Sequence, residues 1–457
     1  MTPALPLPAP EPSPAEQANA AVAAILESAL RGGERGTVVD SPPGAGKSTL
    51  VVKAARELVG TGERLMIVAQ TNSQVDDLVD RLARADGELA IGRLHGSDAA
   101  PSHTALQHPG VVASTKAAEL RELPVVVATA AKWQWVKDVD PWRHAIVDEA
   151  YQMRSDALLA VARLFERALF VGDPGQLDPF SIVGTEAWAG LSYDPSQSAV
   201  VTLLAHNPGI VPHRLPVSWR LPSSAAPLVS DAFYPLAPFR AGTGPGARRL
   251  VLGAAPAPDG RIARGLADAA DEVLDTAAGS GWGLLELPAR RTIRTDPEAV
   301  AAVAAVVARL LARGGSAWSD EEETPLTADR VAVGTAHRDQ AAAVRAALAA
   351  LGVEGVTVDT ANRLQGREYD VTVVLHPLSG RPDATAFHLE TGRLCVLASR
   401  HRQACIVVTR AGIPELLDAH PSAEPVLLGV TSKFPDGWEA NQAVLEHLRA
   451  HRVTATP

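Results

Sequence analysis

The chain has 457 residues, a formal net charge of −10 and a composition that is 46% hydrophobic and 21% charged. This length predicts two or three domains with sizeable cores. No apolar run approaches the ~18 residues that a membrane span needs, so we exclude a membrane protein. The acidic balance argues against a protein that coats nucleic acid over its whole surface, although a local basic groove remains compatible with it.

The first 14 residues contain six prolines and no basic residue, so they lack the charged start of a signal peptide. We expect residues 1–14 to form a disordered tail. The chain has only two cysteines, Cys395 and Cys405, which provide neither a disulfide framework nor a metal-binding spacing. These features predict a cytoplasmic protein without a membrane partner.

Short apolar runs alternate with amphipathic, helix-like stretches along the chain. The runs are 37–39, 65–69, 125–129, 145–148, 168–172, 331–335, 371–375 and 405–408. This alternation is typical of parallel sheets covered by helices, and it occurs twice. A Pro- and Gly-rich stretch over 181–282 separates the two series. We therefore predict an α/β fold with two domains, 15–215 and 216–457.

The segment SPPGAGKST, residues 41–49, follows the first strand and precedes a helix, as a phosphate-binding loop requires. Its members Gly44, Ala45, Gly46, Lys47, Ser48 and Thr49 are the candidate nucleotide-binding residues. The glycines let backbone N–H groups approach phosphate oxygens, the lysine reaches the β- and γ-phosphates, and the Ser48 hydroxyl ligates Mg²⁺. Ser41 replaces the usual first glycine of this motif.

Two further acidic segments follow predicted strands. In DEAYQ, Asp148 can hold the Mg²⁺ shell and Glu149 can orient or deprotonate an attacking water. In GDPGQLDP, Asp173 and Gln176 point to the same crevice, where a glutamine can hydrogen-bond a γ-phosphate or a water and respond to hydrolysis.

With SWRLP, TAHRDQ, VDTANRLQGREYD and GRLCVLASRHR, these segments occur in the order found in the superfamily 1 helicases. The chain most resembles the branch B group that includes the nonsense-mediated-decay RNA helicase, whose acidic motif reads DEAxQ. The resemblance covers residues 17 to about 410. It implies two RecA-like P-loop domains, binding of ATP and Mg²⁺, and ATP-dependent helicase or translocase activity on single-stranded DNA or RNA in the 5′ to 3′ direction.

The resemblance also implies roles for residues outside the phosphate loop. Gln17 matches the glutamine that reads the adenine edge, and Trp219 stands where an aromatic ring stacks on the base. Arg220 and Arg400 match two arginines that reach the γ-phosphate from the second domain, and Glu368 matches a residue near the ribose or the arginines. The alternative interpretation of each side chain is a core or surface residue with no contact to a nucleotide.

Nucleic-acid contacts are implied at the ends of strands in both predicted domains. There, small hydroxyl and amide groups hold the sugar-phosphate backbone without reading bases. The candidates are Thr71, Asn72 and Thr129 in the first domain and Thr335, Thr360 and Asn362 in the second. Any of them can equally be a turn or cap residue.

The chain departs from the family pattern in ways that bear on unwinding. There is no room for an accessory β-barrel before Gln17 or for a sizeable helical insert, and TAHRDQ lacks the Pro–aromatic pair of TPYxxQ. Two other functions therefore stay open: an ATP-switched clamp that binds nucleic acid without unwinding it, and an ATPase that remodels a protein assembly in repair or defence. The sequence does not distinguish DNA from RNA.

Overall fold

The computed structural model describes residues 11–137, 139–179, 188, 191, 193–258, 260–292, 295–420 and 435–455. Most of the expected N-terminal tail, residues 1–10, lies outside the described part. The first helix begins at Pro14 and is capped by Ser13, whose hydroxyl accepts a hydrogen bond from the Glu16 N–H while the Glu16 carboxylate accepts one from the Ser13 N–H. This capping box explains why the proline-rich segment ends where it does.

The first half of the chain forms an eight-stranded sheet, all of whose strands pair in parallel, in the order β4-β3-β5-β2-β6-β7-β1-β8. Its strands are β1 Gly36–Asp40, β2 Leu65–Ala69, β3 Ile91–Leu94, β4 Val111–Ser114, β5 Val125–Thr129, β6 Trp142–Asp148, β7 Phe165–Gly172 and β8 His213–Arg214. Its helices are α1 Pro14–Arg31, α2 Lys47–Val59, α3 Asn72–Ala85, α4 His103–Leu106, α5 Ala130–Trp133, α6 Ser155–Val161 and α7 Ala199–His206.

The second half forms a six-stranded parallel sheet in the order β16-β15-β17-β18-β12-β19. Its strands are β12 Trp282–Leu287, β15 Val331–Thr335, β16 Thr357–Thr360, β17 Tyr369–Leu375, β18 His401–Arg410 and β19 Arg452–Thr454. The helices of this half are α8 Ala226–Phe233, α9 Arg264–Ser280, α10 Pro297–Arg313, α11 Arg338–Ala350, α12 Ala361–Leu364, α13 Ala386–Leu389, α14 Thr391–Ala398, α15 Ile413–Ala419 and α16 Gly437–Leu448.

Two small sheets accompany the parallel ones. Strands β9 Val217–Ser218 and β10 Arg240–Ala241 pair with each other, and β11 Arg248–Leu252, β13 Gly315–Ser319 and β14 Glu322–Pro325 form an antiparallel sheet. The α/β fold with two parallel sheets predicted from the sequence is thus confirmed, and each of the eight apolar runs lies in a strand. Among the described residues, no helix is both long and apolar enough to cross a membrane.

The hydrophobic core is divided in a way that places the site. Two clusters of buried side chains pack on the two faces of the first sheet. Another lies between the second sheet and helices α9, α10 and α11. A further cluster joins Leu177, which follows β7, to buried residues of α8, α14 and α16. The two halves are therefore in apolar contact beside the segment that follows β7.

Candidate nucleotide site

The phosphate loop connects β1 to α2 and lies at the carboxyl end of the first sheet. Gly44 and Gly46 have φ angles of 72° and 87°, in the left-handed region that favours glycine. Gly46 caps α2, so the first N–H groups of that helix face the loop and form a ready site for an anion. Ser48 is half-buried in the first turn of α2, where its hydroxyl remains partly open to solvent.

Lys47, at the start of α2, contacts both acidic residues that follow β6. Its ammonium group is ion-paired with Glu149 and lies 3.4 Å from Asp148 Oδ1. Burial alone would lower the pKa of Lys47, but Asp148 and Glu149 outweigh it and raise that pKa well above its usual value. The lysine is therefore fully charged, and two carboxylates hold it where an anionic ligand would compete for it.

Glu149 has a positive φ angle of 52°, which is uncommon for a residue other than glycine. The Asp148 side chain accepts a hydrogen bond of 2.9 Å from the Glu149 N–H, and Gln152 Nε2 donates to Glu149 Oε2 at 3.0 Å. Strained backbone of this kind persists only where its surroundings fix it, and it clusters at functional sites. The two carboxylates are thus held in a defined arrangement at the end of β6.

The segment after β7 forms a buried hydrogen-bonded network. Asp173 accepts hydrogen bonds from Tyr234 Oη at 2.6 Å, from the Gly175 N–H at 3.0 Å and from the Gln176 amide. Burial raises the pKa of Asp173 to about 6, although Tyr234 and Arg400 oppose the shift. The network links this carboxylate to α8 of the second half.

Gln176 contacts the second half of the chain through both its side chain and its backbone. Its Oε1 accepts a hydrogen bond of 2.6 Å from Gln365 Nε2, which follows α12. Gly392 of α14 also packs on its backbone, since a Cβ atom at that glycine would lie 2.5 Å from the Gln176 carbonyl oxygen. Gln365, Tyr234 and Gly392 were not among the residues expected at the site. The only sequence signal for Gln365 is that it is the first residue of QGRE, residues 365–368.

The segment that carries Trp219 and Arg220 lies directly on the phosphate loop. The Trp219 N–H donates to the Gly44 carbonyl at 2.8 Å, and Ser218 Oγ donates to the Pro43 carbonyl at 2.6 Å. A Cβ atom at Gly44 would lie only 2.2 Å from Arg220 Cβ. The glycine is therefore required both by its left-handed φ angle and by this close approach.

A cluster of arginines surrounds Glu368. Arg220 Nε donates to Glu368 Oε2 at 3.0 Å, and Arg402 Nη1 donates to Glu368 Oε1 at 3.4 Å. Burial would raise the pKa of Glu368, but Arg220, Arg402 and Arg248 lower it below its usual value. The structure therefore places Glu368 as the partner of Arg220, within the arginine network that the resemblance implied.

Arg400 is almost completely buried, with 1% of its surface exposed. Its guanidinium donates to the Val396 carbonyl at 3.1 Å and to Ser399 Oγ at 2.7 Å. Within the described part of the chain, Nη1 has no hydrogen-bond partner. Burial, reinforced by Arg220, lowers the pKa of Arg400 to about 10, so the group stays charged at neutral pH. A buried cation with an unpaired donor is costly without an anionic ligand.

Arg400 and Arg402 follow helix α14 and do not lie on it. The helix α14 ends at Ala398, Arg400 follows it, and Arg402 lies on β18. Strand β18 begins to pair with β17 at His401, whose partner in the sheet is Tyr369. Arg402 therefore differs from Arg400 in its contacts, since it donates to Glu368, which also pairs with Arg220.

A cavity of about 300 Å³ lies beside the phosphate loop, between α1, α2 and Trp219. Its lining residues are Ala15, Ala18, Asn19, Val22, Ala45, Gly46, Thr49, Leu50, Lys53, Leu215, Pro216, Val217 and Trp219. Trp219 is 39% exposed, and its indole packs on Gly242. The pocket suits a flat, largely apolar ring. Asn19 supplies the amide in its lining, whereas the half-buried Gln17, two residues earlier and on another face of α1, is not part of that lining.

The candidate nucleic-acid residues of the first half lie at the carboxyl ends of β2 and β5, which are neighbours in the sheet. Thr71 caps α3 by accepting from the Gln74 N–H, and Thr129 caps α5 by accepting from the Lys132 N–H. Asn72 Oδ1 accepts from Arg93 Nη2 at 3.1 Å. All three side chains thus have local structural partners.

In the second half, Thr335 and Thr360 lie opposite each other at the carboxyl ends of β15 and β16. Thr335 is completely buried and donates its hydroxyl to the His337 carbonyl at 3.0 Å, while Thr360 is 7% exposed and occupies the N-cap position of α12 without a side-chain capping bond. Asn362 accepts from Arg393 Nη1 at 3.2 Å. The structure brings the three together, but it leaves little hydroxyl surface open to a strand.

Comparisons with known proteins agree with this geometry. Two family models, each described as an AAA domain, match residues 15–189 and 287–412. Domains of these two kinds are typical of superfamily 1 helicases. No curated protein matches the chain.

Among solved structures, the chain is similar to the arterivirus nonstructural protein 10 helicase, with 14% identity and a TM-score of 0.43 over 86% of this chain and 61% of that one. It is also similar to the PRRSV helicase, with 15% identity and a TM-score of 0.40 over 86% and 54%. A complex of the arterivirus protein with DNA gives 14% identity and a TM-score of 0.42 over 86% and 62%. The chain thus spans less than two thirds of the length of these helicases. The phosphate loop lies in the first of the two regions that match models of AAA domains, which implies nucleotide binding there.

Proposed function

We propose that the protein is an ATP-dependent translocase or helicase that moves 5′ to 3′ on single-stranded nucleic acid. The observation that carries the proposal is that Arg220 of the second half packs on the phosphate loop before Lys47, while Asp173 of the first half interacts electrostatically with both Lys47 and Arg400. Hydrolysis at such a place changes the contacts of both halves together. This coupling is what directional movement along a strand requires.

In this mechanism, the phosphate loop and Lys47 bind the β- and γ-phosphates, and Glu149 orients and deprotonates the attacking water. Arg220 and Arg400 stabilise the charge that develops in the transition state, and Gln176 transmits the state of the site to Gln365. The base occupies the pocket beside Trp219, where Asn19 is the lining amide available to its polar edge.

The donor set suits Mg²⁺, because the Ser48 hydroxyl and the Asp148 carboxylate are hard oxygen ligands. Within the described residues there is no cluster of three or more His, Cys, Asp or Glu that could hold a metal. That finding fits an ion bound by one or two side chains, water and phosphate oxygens. When bound, the ion would neutralise charge on the phosphates. Asp148, which lies near Lys47, and Ser48 are the residues we assign to it.

Both cysteines are buried free thiols, which fits the reducing cytoplasm that we propose as the site of action. We propose single-stranded DNA or RNA as the partner, running past the strand ends that carry Thr71, Asn72, Thr129, Thr335, Thr360 and Asn362. We also propose the division into functional units at residue 215.

The test measures phosphate release from ATP with and without poly-dT or poly-U, followed by displacement of a labelled strand from a 5′-tailed duplex. We expect strand-stimulated turnover and displacement from the 5′-tailed substrate, with Lys47→Ala inactive in both. Stimulation and binding without displacement or movement would instead support an ATP-switched clamp. Turnover that no strand alters would support an ATPase that remodels proteins.

A further inference from the structure

Three flat side chains form a stack beside the ends of β15 and β16. The guanidinium of Arg393 lies 3.8 Å from the centre of the Phe387 ring, and the His337 ring stacks on Phe387 at 4.9 Å with an interplanar angle of 17°. At these separations two flat groups would overlap on one face, so Arg393 and His337 cover opposite faces of Phe387. Phe387 is exposed and His337 is half-buried, so part of the stack is open to solvent.

Hydrogen bonds fix the position of Arg393 in the stack. Arg393 is buried and donates to the Phe387 carbonyl at 3.1 Å, to Asn362 Oδ1 at 3.2 Å and to Glu390. The arginine thus has its charge balanced by Glu390 and acts as a fixed support. A rigid aromatic group loses little conformational entropy when a ligand stacks on it.

Hydrogen bonds also fix the position of His337. Thr335 Oγ1 donates to the His337 carbonyl, and His337 Nε2 lies 3.0 Å from His388 Nε2, which requires one donor and one acceptor. Burial, together with the nearby Arg381, lowers the pKa of His388 to about 4, so this ring is neutral at neutral pH. A neutral His388 can share a single hydrogen with His337 and fix the plane of its ring.

Phe387 is 41% exposed, although its partners are largely buried. A phenylalanine that served only the core would not be left open at this position. Two of the candidate strand-binding residues, Thr335 and Asn362, bond directly to members of the stack and offer little free polar surface of their own. Their arrangement makes them supports for an aromatic surface at the end of the second sheet.

We propose that the His337–Phe387 stack is a platform on which a base of single-stranded nucleic acid stacks, without selecting its sequence. The inference rests on the proposed function, because it assigns the contact by which the second half grips the strand. Stacking of a base on an aromatic side chain tolerates any sequence, since every base has a π-face. The hydroxyl and amide residues nearby then position the platform and need not touch the strand.

The test compares binding of labelled oligo-dT with binding of a labelled strand of the same length made of abasic sites, by fluorescence anisotropy. We expect His337→Ala and Phe387→Leu to weaken oligo-dT binding about tenfold and to leave binding of the abasic strand unchanged. His337→Tyr, which keeps a ring, should bind oligo-dT as wild type does. His420→Ala removes an exposed histidine of the same half and is the matched control.

The outcomes separate this inference from the proposed function. Normal oligo-dT binding by His337→Ala and Phe387→Leu would overturn the platform while leaving the translocase intact. Equal losses on oligo-dT and the abasic strand, or no rescue by His337→Tyr, would overturn it too, because the role would then be structural. If wild type binds no strand at all, both proposals fail, and the exposed stack would instead suit a protein partner.

Discussion

At the scale of single residues, Glu149 combines a buried carboxylate with a left-handed backbone. Glu149→Gln keeps the shape and imposes the same backbone strain, so it isolates the loss of the charge and the base. We expect phosphate release to fall by a factor of about 10² to 10⁴, with ATP still bound. Single-turnover hydrolysis and binding of a fluorescent ATP analogue measure the two effects. Rapid turnover by the variant would move the catalytic role to another residue.

Arg400 is buried, and its Nη1 has no hydrogen-bond partner among the residues that the structure describes. Arg400→Ala should lower the rate at saturating ATP by about 10³-fold or more, with a much smaller change in nucleotide affinity, because the guanidinium meets charge that develops in the transition state. Arg449, an exposed arginine paired with Glu446, supplies the control, and Arg449→Ala should hydrolyse ATP normally.

Arg402→Ala is expected to lie between these two variants, because it removes the second partner of Glu368 and so changes the hold on Arg220. Steady-state rates of the three variants under saturating ATP and single strand give the order. Equal rates for Arg400→Ala and Arg449→Ala would contradict an active site shared by the two halves.

At the scale of elements, the phosphate loop offers a matched pair of glycines. Gly44 and Gly46 both have positive φ angles, so alanine at either costs about 1–2 kcal/mol in backbone strain. A Cβ atom at Gly46 meets nothing within 4 Å, whereas one at Gly44 collides with Arg220. We expect Gly44→Ala to lower the free energy of unfolding by about 1–3 kcal/mol more than Gly46→Ala does. Urea denaturation of both variants measures the difference, and equal losses would contradict the contact.

Several elements were readable from the sequence because their patterns are local. The strands β2, β5 and β15 are unbroken apolar runs, and they occur where the runs predicted them. Strand β3 was missed because it contains Arg93, which is fully buried and paired with Asp76. Pattern-based reasoning places an arginine at the surface, and only the partner 17 residues away explains its burial.

The candidate site also combines local motifs that the sequence indicates with long-range contacts that it does not. The loop residues Lys47 and Glu149 lie in short motifs, and the structure brings their side chains into contact. The bond between Gln176 and Gln365 joins residues 189 positions apart, so no local pattern could indicate it. Their assigned roles in catalysis stay predictions until the variants are measured.

At the scale of the whole molecule, the network around Asp173 makes stability depend on pH. In the unfolded chain this carboxyl loses its proton near its ordinary pKa of 3.8, but in the folded protein it does so at about 6. Between these values the native state holds the additional proton, so its stability falls as pH rises. The two pKa units correspond to at most about 3 kcal/mol.

Asp173→Asn should remove this contribution, since an amide does not titrate and its oxygen can still accept from Tyr234. Urea denaturation at several pH values between 4 and 7 gives the free energy of unfolding for both proteins. We expect the advantage of wild type over the variant to decline steadily across that range. A difference that is constant with pH would contradict the raised pKa.

The close approach of Gly392 to Gln176 has a consequence for helix energetics. Within a helix such as α14, glycine is less stable than alanine by roughly 0.5–1 kcal/mol, so Gly392→Ala should strengthen the isolated helix. The added methyl group would nevertheless lie 2.5 Å from the main chain of the other half. Position 392 therefore gives up local helix propensity so that two backbones can touch, and the separation of the halves depends on the absence of one methyl group.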